Sequence, residues 1–329
     1  YGILLIFSPF LIMPFSGAMS EAPSILTGTL AILLLVRYRQ TDRKGHLFAA
    51  GLLAAAALFI RYQQAAILLT GGIFLFFLSR QNWKTRLKET LQYALFSAGP
   101  FVLWLAIQAI FRAGNEPREL GLRGSIGEIS QTFLVNTYNT VKYWFPWRTG
   151  LFPAVEASTV RIILVALFIL LLAFGAWRWR KSGKQINLTS PILQLLLVCA
   201  LYVAADLFFL WAAMLIASPP PDVDNRMLSP LLPILFILLL SSIDLAGKPF
   251  DRKWPFAMAM VAVTLLFCIT FARQERKYLV NMHYGGEGFT SVTFKNSPLV
   301  DQIRKITLQR KIITNSPALV QFFTLKEPY

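Results

Sequence analysis

Seven polar residues in three short stretches are of the types that bind phosphate and move protons. The three stretches read SEAPS, IRYQQ and PDVDNRML, and their candidate residues are Glu21, Arg61, Tyr62, Asp222, Asp224, Asn225 and Arg226. A guanidinium group has planar donors that match phosphate oxygens. A carboxylate can take a proton from an acceptor hydroxyl or hold a divalent cation. If the stretches meet in space, they form a site for a phosphate-bearing substrate.

Each stretch also has a purely structural interpretation. Glu21 suits the first turn of a helix with Ser20 as its N-cap, because an acidic side chain favours the positive end of the helix dipole. Arg61 beside Tyr62 is typical of an arginine and a tyrosine at a membrane interface. Asp224 or Asn225 is a suitable N-cap for the helix that follows. The elements that position these residues must decide between the two interpretations.

The composition is that of an integral membrane protein. Apolar residues make up 56% of the 329 residues and charged residues 15%, with a mean hydropathy of +0.56. Soluble domains have about 25% charged residues. Cys199 and Cys268 both lie in apolar runs, and the sequence has no CxxC or HExxH pattern. It therefore predicts neither a disulfide framework nor a known type of metal or redox motif.

Apolar runs predict about nine transmembrane helices, judged against the roughly 20 residues that a membrane-spanning helix needs. They lie at 1–13, 22–36, 46–60, 64–79, 90–111, 161–177, 189–216, 227–245 and 254–272. We divide the third from the fourth at Arg61, because an arginine at the bilayer centre costs about 2.5–3.5 kcal/mol. The fold class is thus an all-α polytopic membrane protein.

Basic residues alternate between loops and so predict the orientation. Four loops, at 37–45, 80–89, 178–188 and 246–253, hold fifteen Lys or Arg, whereas the short loops between them hold Arg61 and Arg226. The positive-inside rule places the four basic loops in the cytoplasm. The net charge of +16 is then a topology signal, and we expect no nucleic-acid partner. All three polar stretches lie on the extracytoplasmic side of a cell inner or plasma membrane.

Two longer segments also lie outside. The loop at 112–160 contains an apolar stripe at helical spacing, formed by Ile126, Ile129, Phe133, Leu134, Tyr138, Val141 and Trp144. It predicts a helix lying in the outer interface with Lys142 and Arg148 at the headgroups, or else a helix packed on the bundle. Residues 273–329 form a basic tail that predicts a small extracytoplasmic α/β domain, with strands at GFTSVTF and KIIT. The predicted membrane domain is 1–272.

The order and sidedness of these motifs resemble the GT-C class of membrane glycosyltransferases. The resemblance covers most of the chain and depends on SEAP at a helix start, LFIRYQQ between two short helices, DNRMLSPLLP at a late helix, and the tail motif GGEGFTSVTFKNSPLVDQIRKI. This class includes transferases acting on lipid A, among them aminoarabinose transferases, and the protein O-mannosyltransferases. Such enzymes are of the inverting type and move a sugar from a polyprenyl-phosphate carrier to a lipid, glycan or protein acceptor at the outer leaflet.

The resemblance implies roles for the candidate residues. Arg61, Tyr62 and Arg226 would bind the carrier phosphate; Asp222, Asp224 and Asn225 would contact the acceptor or a cation. Glu21 would be a weak catalytic candidate or a ligand for a divalent metal. The family's general base lies in a first outer loop that this sequence does not contain, so we expect it upstream of Tyr1, and a chain without it would be an inactive fragment.

A transporter or flippase for a lipid-linked or polar solute is the alternative. Transporters commonly show internal repeats and interrupted helices near the membrane midplane. We find no convincing repeat, and the charges gather at one interface. One ionisable residue, Asp206, lies deep in an apolar segment. It must be paired or protonated there, at a helix contact or at the wall of a cavity.

Overall fold

The computed structural model describes residues 20–78, 81–111, 125–144, 190–217, 221, 223–247 and 254–285. Within these ranges the regular structure is entirely helical. The predicted spans at 1–13 and 161–177 and the predicted strands of the tail lie outside them. The other seven predicted spans each coincide largely with helical residues, so a count of nine spans stays a prediction.

Nine α-helices and one short 3-10 turn are formed by the described residues. In chain order they are α1 (Glu21–Thr41), α2 (Lys44–Ile60), the 3-10 turn Tyr62–Gln64, α3 (Ala65–Phe77), α4 (Trp83–Phe111), α5 (Ile126–Trp144), α6 (Pro191–Ile216), α7 (Asn225–Leu228), α8 (Leu231–Gly247) and α9 (Trp254–Gly285). α1 packs on α2, α2 and α3 pack on α4, and α6 packs on α3 and α8.

Four of these helices are long and apolar enough to cross a bilayer. They are α1, α4, α6 and the part of α9 from Phe256 to Arg273, whereas α2, α3 and α8 are shorter apolar helices. Large apolar side chains also stand exposed along the bundle: Leu95, Leu103 and Ile110 of α4 are 65%, 62% and 74% exposed. A soluble monomer rarely leaves so much apolar surface uncovered. The protein therefore suits a lipid bilayer.

The chain breaks between α2 and α3 where the sequence predicts it. α2 ends at Ile60, Arg61 is extended, and the 3-10 turn leads into α3. With 17 and 13 residues, the two helices are about 26 and 20 Å long at 1.5 Å per residue. Both are shorter than the roughly 30 Å hydrocarbon core of a bilayer. Arg61 thus lies in a turn between two helices that are each shorter than this core.

A buried carboxylate ties the opposite end of the bundle together. Glu89 of α4 lies 3.6 Å from Arg39 Nη1 and accepts from Lys44 Nζ at 3.1 Å, and Lys44 also donates to the Tyr38 hydroxyl. These residues come from the end of α1, the start of α2 and the first half of α4. The cluster pairs residues of the predicted basic loops, so part of that basic charge is structural.

Close helix packing depends on particular glycines. A Cβ atom at Gly71 of α3 would collide with the ring of Tyr93, which is buried and donates to the Ile67 carbonyl at 3.1 Å. The next residue, Gly72, has only an ordinary contact, with Thr90 at 3.9 Å. We expect Gly71→Ala to destabilise the bundle by about 1–3 kcal/mol through overpacking. Gly72→Ala is the control and should be neutral or stabilising by up to about 1 kcal/mol, because alanine favours helix.

Unfolding of the two glycine variants in mixed detergent micelles measures this difference. Equal stability of Gly71→Ala and Gly72→Ala would show that α3 and α4 do not approach as closely as described.

Contacts along the backbone divide the chain into two compact units, Tyr1–Phe271 and Ala272–Tyr329. The last predicted span ends at residue 272, but α9 continues as helix to Gly285. Residues 273–285 of the predicted tail are thus helical. Residues 286–329 lie outside the described residues, so the α/β character of the tail stays a prediction.

Candidate functional site

Three of the predicted site residues meet at one end of the helix bundle. Glu21 begins α1, Arg61 follows α2 and Arg226 lies in α7. Arg226 donates to Glu21 Oε1 from both Nε and Nη2, each at 3.1 Å. Arg61 Nη1 lies 2.8 Å from the same oxygen. We call these three residues the guanidinium–carboxylate triad.

The triad carries one net positive charge around a buried carboxylate. Glu21 is fully buried, and among the described residues its second oxygen, Oε2, has no hydrogen-bond partner. Within the same ranges Arg61 Nη1 also lacks a partner in hydrogen-bond geometry, although it is 2.8 Å from Glu21. We interpret that contact as an ion pair whose angle is unsuited to a hydrogen bond, because the distance alone gives strong attraction. Glu21 therefore acts as the shared counter-ion of two arginines.

The two arginines differ in exposure. The Arg61 side chain is 12% exposed and its Nη2 donates to the Met227 sulfur at 2.9 Å. The Arg226 side chain is 53% exposed. A guanidinium has five N–H donors, and Arg226 uses two of its nitrogens on Glu21. The Glu21 contact thus orients Arg226 while leaving it accessible to an anion.

Cation binding at Glu21 does not fit this arrangement. Its carboxylate already neutralises two adjacent guanidinium groups, and a divalent cation there would be repelled by both. Within the ranges that the structure describes, no three His, Cys, Asp or Glu residues are grouped as metal ligands. These charges disfavour a metal ion at Glu21, and its metal role stays a prediction.

The first turn of α1 differs from the structural interpretation of Glu21. Ser20 has helical backbone angles and makes no side-chain capping hydrogen bond. Ser20 is at the N-cap position as predicted, but its side chain does not cap the helix, because its backbone is already helical. Glu21 does lie in the first turn, but its side chain is directed to two arginines from other helices.

Tyr62 does not join the triad. Its ring is 66% exposed and packs edge-on against Phe101 of α4 at 5.7 Å. Phe59 and Trp104 lie against Phe101 as well, at ring distances of 5.7 and 5.6 Å. This aromatic group is typical of a membrane interface, and it favours the structural interpretation of Tyr62.

Of the candidate residues in the stretch PDVDNRML, Arg226 belongs to the triad, whereas Asp224 and Asn225 have other partners. Asp224 accepts from the backbone N–H of Met227 at 3.0 Å and is the N-cap of α7. Asn225 accepts from the indole N–H of Trp144 at 2.7 Å. Both side chains thus have structural partners, as the capping alternative expects for Asp224. Asp222 lies outside the described residues.

Sequence patterns did not reveal how Gln63 and Asp206 connect to this end of the bundle. The Gln63 amide nitrogen donates to Asp206 Oδ1 and Oδ2, each at 3.0 Å, and lies 2.7 Å from the carbonyl oxygen of Met227. Asp206 is fully buried in α6. Its predicted need for a partner is met by a neutral amide at a helix contact.

The helix predicted within 112–160 is present as α5, but its apolar stripe is divided. Phe133 and Trp144 are buried and Ile129 and Val141 pack on the core. The other three residues of the stripe are 57–65% exposed: Ile126, Leu134 and Tyr138. α5 also contacts α6, where Trp211 donates to Ser130 Oγ at 3.0 Å. Four residues of the stripe therefore face the bundle and three do not, because a spacing of three or four residues covers more than one face of a helix. The placement of this helix at the membrane interface stays a prediction.

Comparisons with protein-family models, with curated proteins and with solved structures found no match to this chain.

Proposed function

We propose that the protein is a membrane glycosyltransferase of the GT-C type, moving a sugar from a polyprenyl-phosphate carrier to a lipid, glycan or protein acceptor at the outer face of the membrane. The observation that supports this most is the half-exposed Arg226, oriented by the buried Glu21 beside a second arginine. The resemblance of the sequence motifs to that class supplies the substrate and the reaction.

The triad suits an anionic headgroup at the membrane surface. Arg61 lies in the turn between the short α2 and α3, and the half-exposed Arg226 shares its partner Glu21. Buried pairs of like charge are unfavourable unless an anion lies between them. Glu21 fills that role with one oxygen, so the guanidinium groups stay close together and keep a net charge of one. A carrier phosphate bound at Arg226 would balance that charge.

In the transfer step, the arginines would stabilise the leaving phosphate. The acceptor oxygen forms a bond to the anomeric carbon, while the bond from that carbon to the carrier phosphate oxygen breaks. The phosphate leaves with an additional negative charge, and donors fixed beforehand stabilise it more than they stabilise the substrate. The acceptor proton goes to a general base, to which the described residues give no assignment.

A transfer assay tests this function against the alternative of a transporter or flippase. Membranes containing the full-length protein are supplied with polyprenyl phosphate carrying a radiolabelled sugar, and matched membranes lack the protein. We expect label in a new glycosidic product, with release of unlabelled polyprenyl phosphate. A flippase would move the intact labelled carrier between leaflets and form no new glycosidic bond, which would refute the proposed function.

A further inference from the structure

A hydrogen-bonded bridge connects the two segments that carry the triad arginines. The Gln63 amide group contacts both carboxylate oxygens of Asp206 and the carbonyl oxygen of Met227. An amide nitrogen has two hydrogens, so these three acceptors share them. The bridge joins α6, the 3-10 turn and α7. Gln63 is two residues from Arg61, and Met227 directly follows Arg226.

α7 needs such a connection because it cannot hold its own position. It has four residues, far fewer than an isolated helix needs to be stable. Two of its hydrogen bonds are local in sequence: the Asp224 N-cap and the bond from Ser229 Oγ to the Arg226 carbonyl at 2.8 Å. Glu21, Arg61 and Trp144 contact it from distant segments. Bonds from distant parts of the chain, including those of Gln63, fix where α7 lies relative to the Arg61 turn.

Burying Asp206 costs more free energy than a simple helix contact requires. It is fully buried inside a helix that can cross the membrane, where an ionisable side chain is disfavoured. Among the described residues its hydrogen bonds come from the neutral Gln63. Apolar side chains would join the 3-10 turn and α6 at a lower cost. A carboxylate, however, can accept with both oxygens from the NH2 group of one amide and so fix its orientation.

We propose that Asp206 is a positioning residue for the two arginines that bind the carrier phosphate, Arg61 and Arg226, which we call the phosphate clamp. Through Gln63 and the Met227 carbonyl, Asp206 fixes the spacing between these two side chains. This inference rests on the proposed function for its ligand, the carrier phosphate. Asp206 itself does not touch the substrate.

Three variants and a matched control test the bridge. Asp206→Leu removes the acceptors, and Gln63→Met removes the donor from a partly exposed turn, so it leaves the core helices intact. Asp206→Asn keeps one acceptor for Gln63 and provides a donor for Gln63 Oε1, which is buried and has no partner in the described part of the chain. The control is Gln194→Leu, another buried polar residue of α6, whose Oε1 likewise has no partner among the residues described.

Two measurements follow each variant. The rate at which phenylglyoxal modifies Arg61, read by peptide mass spectrometry, reports the position of that side chain without any substrate. The Kd for polyprenyl phosphate in detergent micelles reports the clamp. We expect Asp206→Leu and Gln63→Met each to raise both quantities about tenfold, the effect of losing one charge-assisted hydrogen bond. Combining Asp206→Leu with Gln63→Met should raise both quantities little further, because the two changes remove the same bridge. Both quantities should remain near their wild-type values in Asp206→Asn and Gln194→Leu.

The outcomes separate this inference from the proposed function. If Asp206→Leu or Gln63→Met folds and leaves both the Arg61 reactivity and the Kd unchanged, the positioning role is refuted, even if stability has fallen. Should Asp206→Leu fail to fold, Gln63→Met decides the question alone. Absence of polyprenyl phosphate binding to the wild type would refute the proposed function, and the Arg61 reactivity would still report the bridge.

Discussion

Replacing Glu21 by alanine will destabilise the helix bundle by about 3 kcal/mol or more, because it leaves two adjacent guanidinium groups without their counter-ion. Most of this loss of stability comes from leaving Arg61 unpaired, since its side chain is 12% exposed whereas that of Arg226 is 53% exposed and can be solvated. Glu21→Gln keeps the side-chain shape and one acceptor, so it should lower the free energy of unfolding by less than Glu21→Ala does. Unfolding in mixed detergent micelles measures each free energy.

A second acidic residue in a helix first turn provides the control for Glu21. Glu128 begins α5 with an exposed side chain, and Glu128→Ala should change stability by less than about 0.5 kcal/mol. If Glu21→Ala is as stable as Glu128→Ala, the carboxylate is not the counter-ion of the two arginines. The electrostatic account of the triad would then be wrong.

Replacing Arg226 by alanine will lower sugar transfer by about 100-fold or more while the bundle stays folded. Loss of one donor that stabilises developing charge typically costs about 10²–10³ in rate. The fold should survive because Arg226 is half exposed and Arg61 continues to neutralise Glu21. Arg226→Lys should recover only part of the rate, since an ammonium group cannot offer the planar paired donors of a guanidinium.

The transfer assay with labelled carrier measures these rates, and an arginine from the other end of α1 supplies the control. Arg37 is exposed and lies one turn before the α1 terminus opposite Glu21. Arg37→Ala should transfer sugar at the wild-type rate. Full activity in Arg226→Ala would remove this residue from the site.

Sequence reasoning succeeded where a strong penalty or a periodic charge pattern restricted the outcome. The cost of an arginine in the bilayer centre correctly divided α2 from α3 at Arg61. Alternation of basic loops predicted that Glu21, Arg61 and Arg226 lie together, and the structure brings these three side chains into contact. The side of the membrane on which they lie stays a prediction. Helix bounds were less accurate: α9 runs to Gly285 instead of ending near 272.

The sequence did not predict contacts that depend on the rotation of a helix about its axis. A segment that is apolar on all sides does not indicate which face meets its neighbour. The polar contacts of Gln63 with Asp206 and of Trp144 with Asn225 join helices distant in the chain, and no spacing rule connects them. The exposed position of Tyr138 has the same cause. Such pairings follow only from the packing of the whole bundle.

The separation of the triad along the chain has a consequence for biosynthesis. Arg226 follows Glu21 by 205 residues, which takes on the order of 10–40 s to translate at about 5–20 residues per second. Arg61 emerges much sooner and is the first available cation for the acidic side chain. The nascent protein can therefore insert its early hairpin with that charge already balanced, and only a late stage of synthesis completes a competent anion-binding centre.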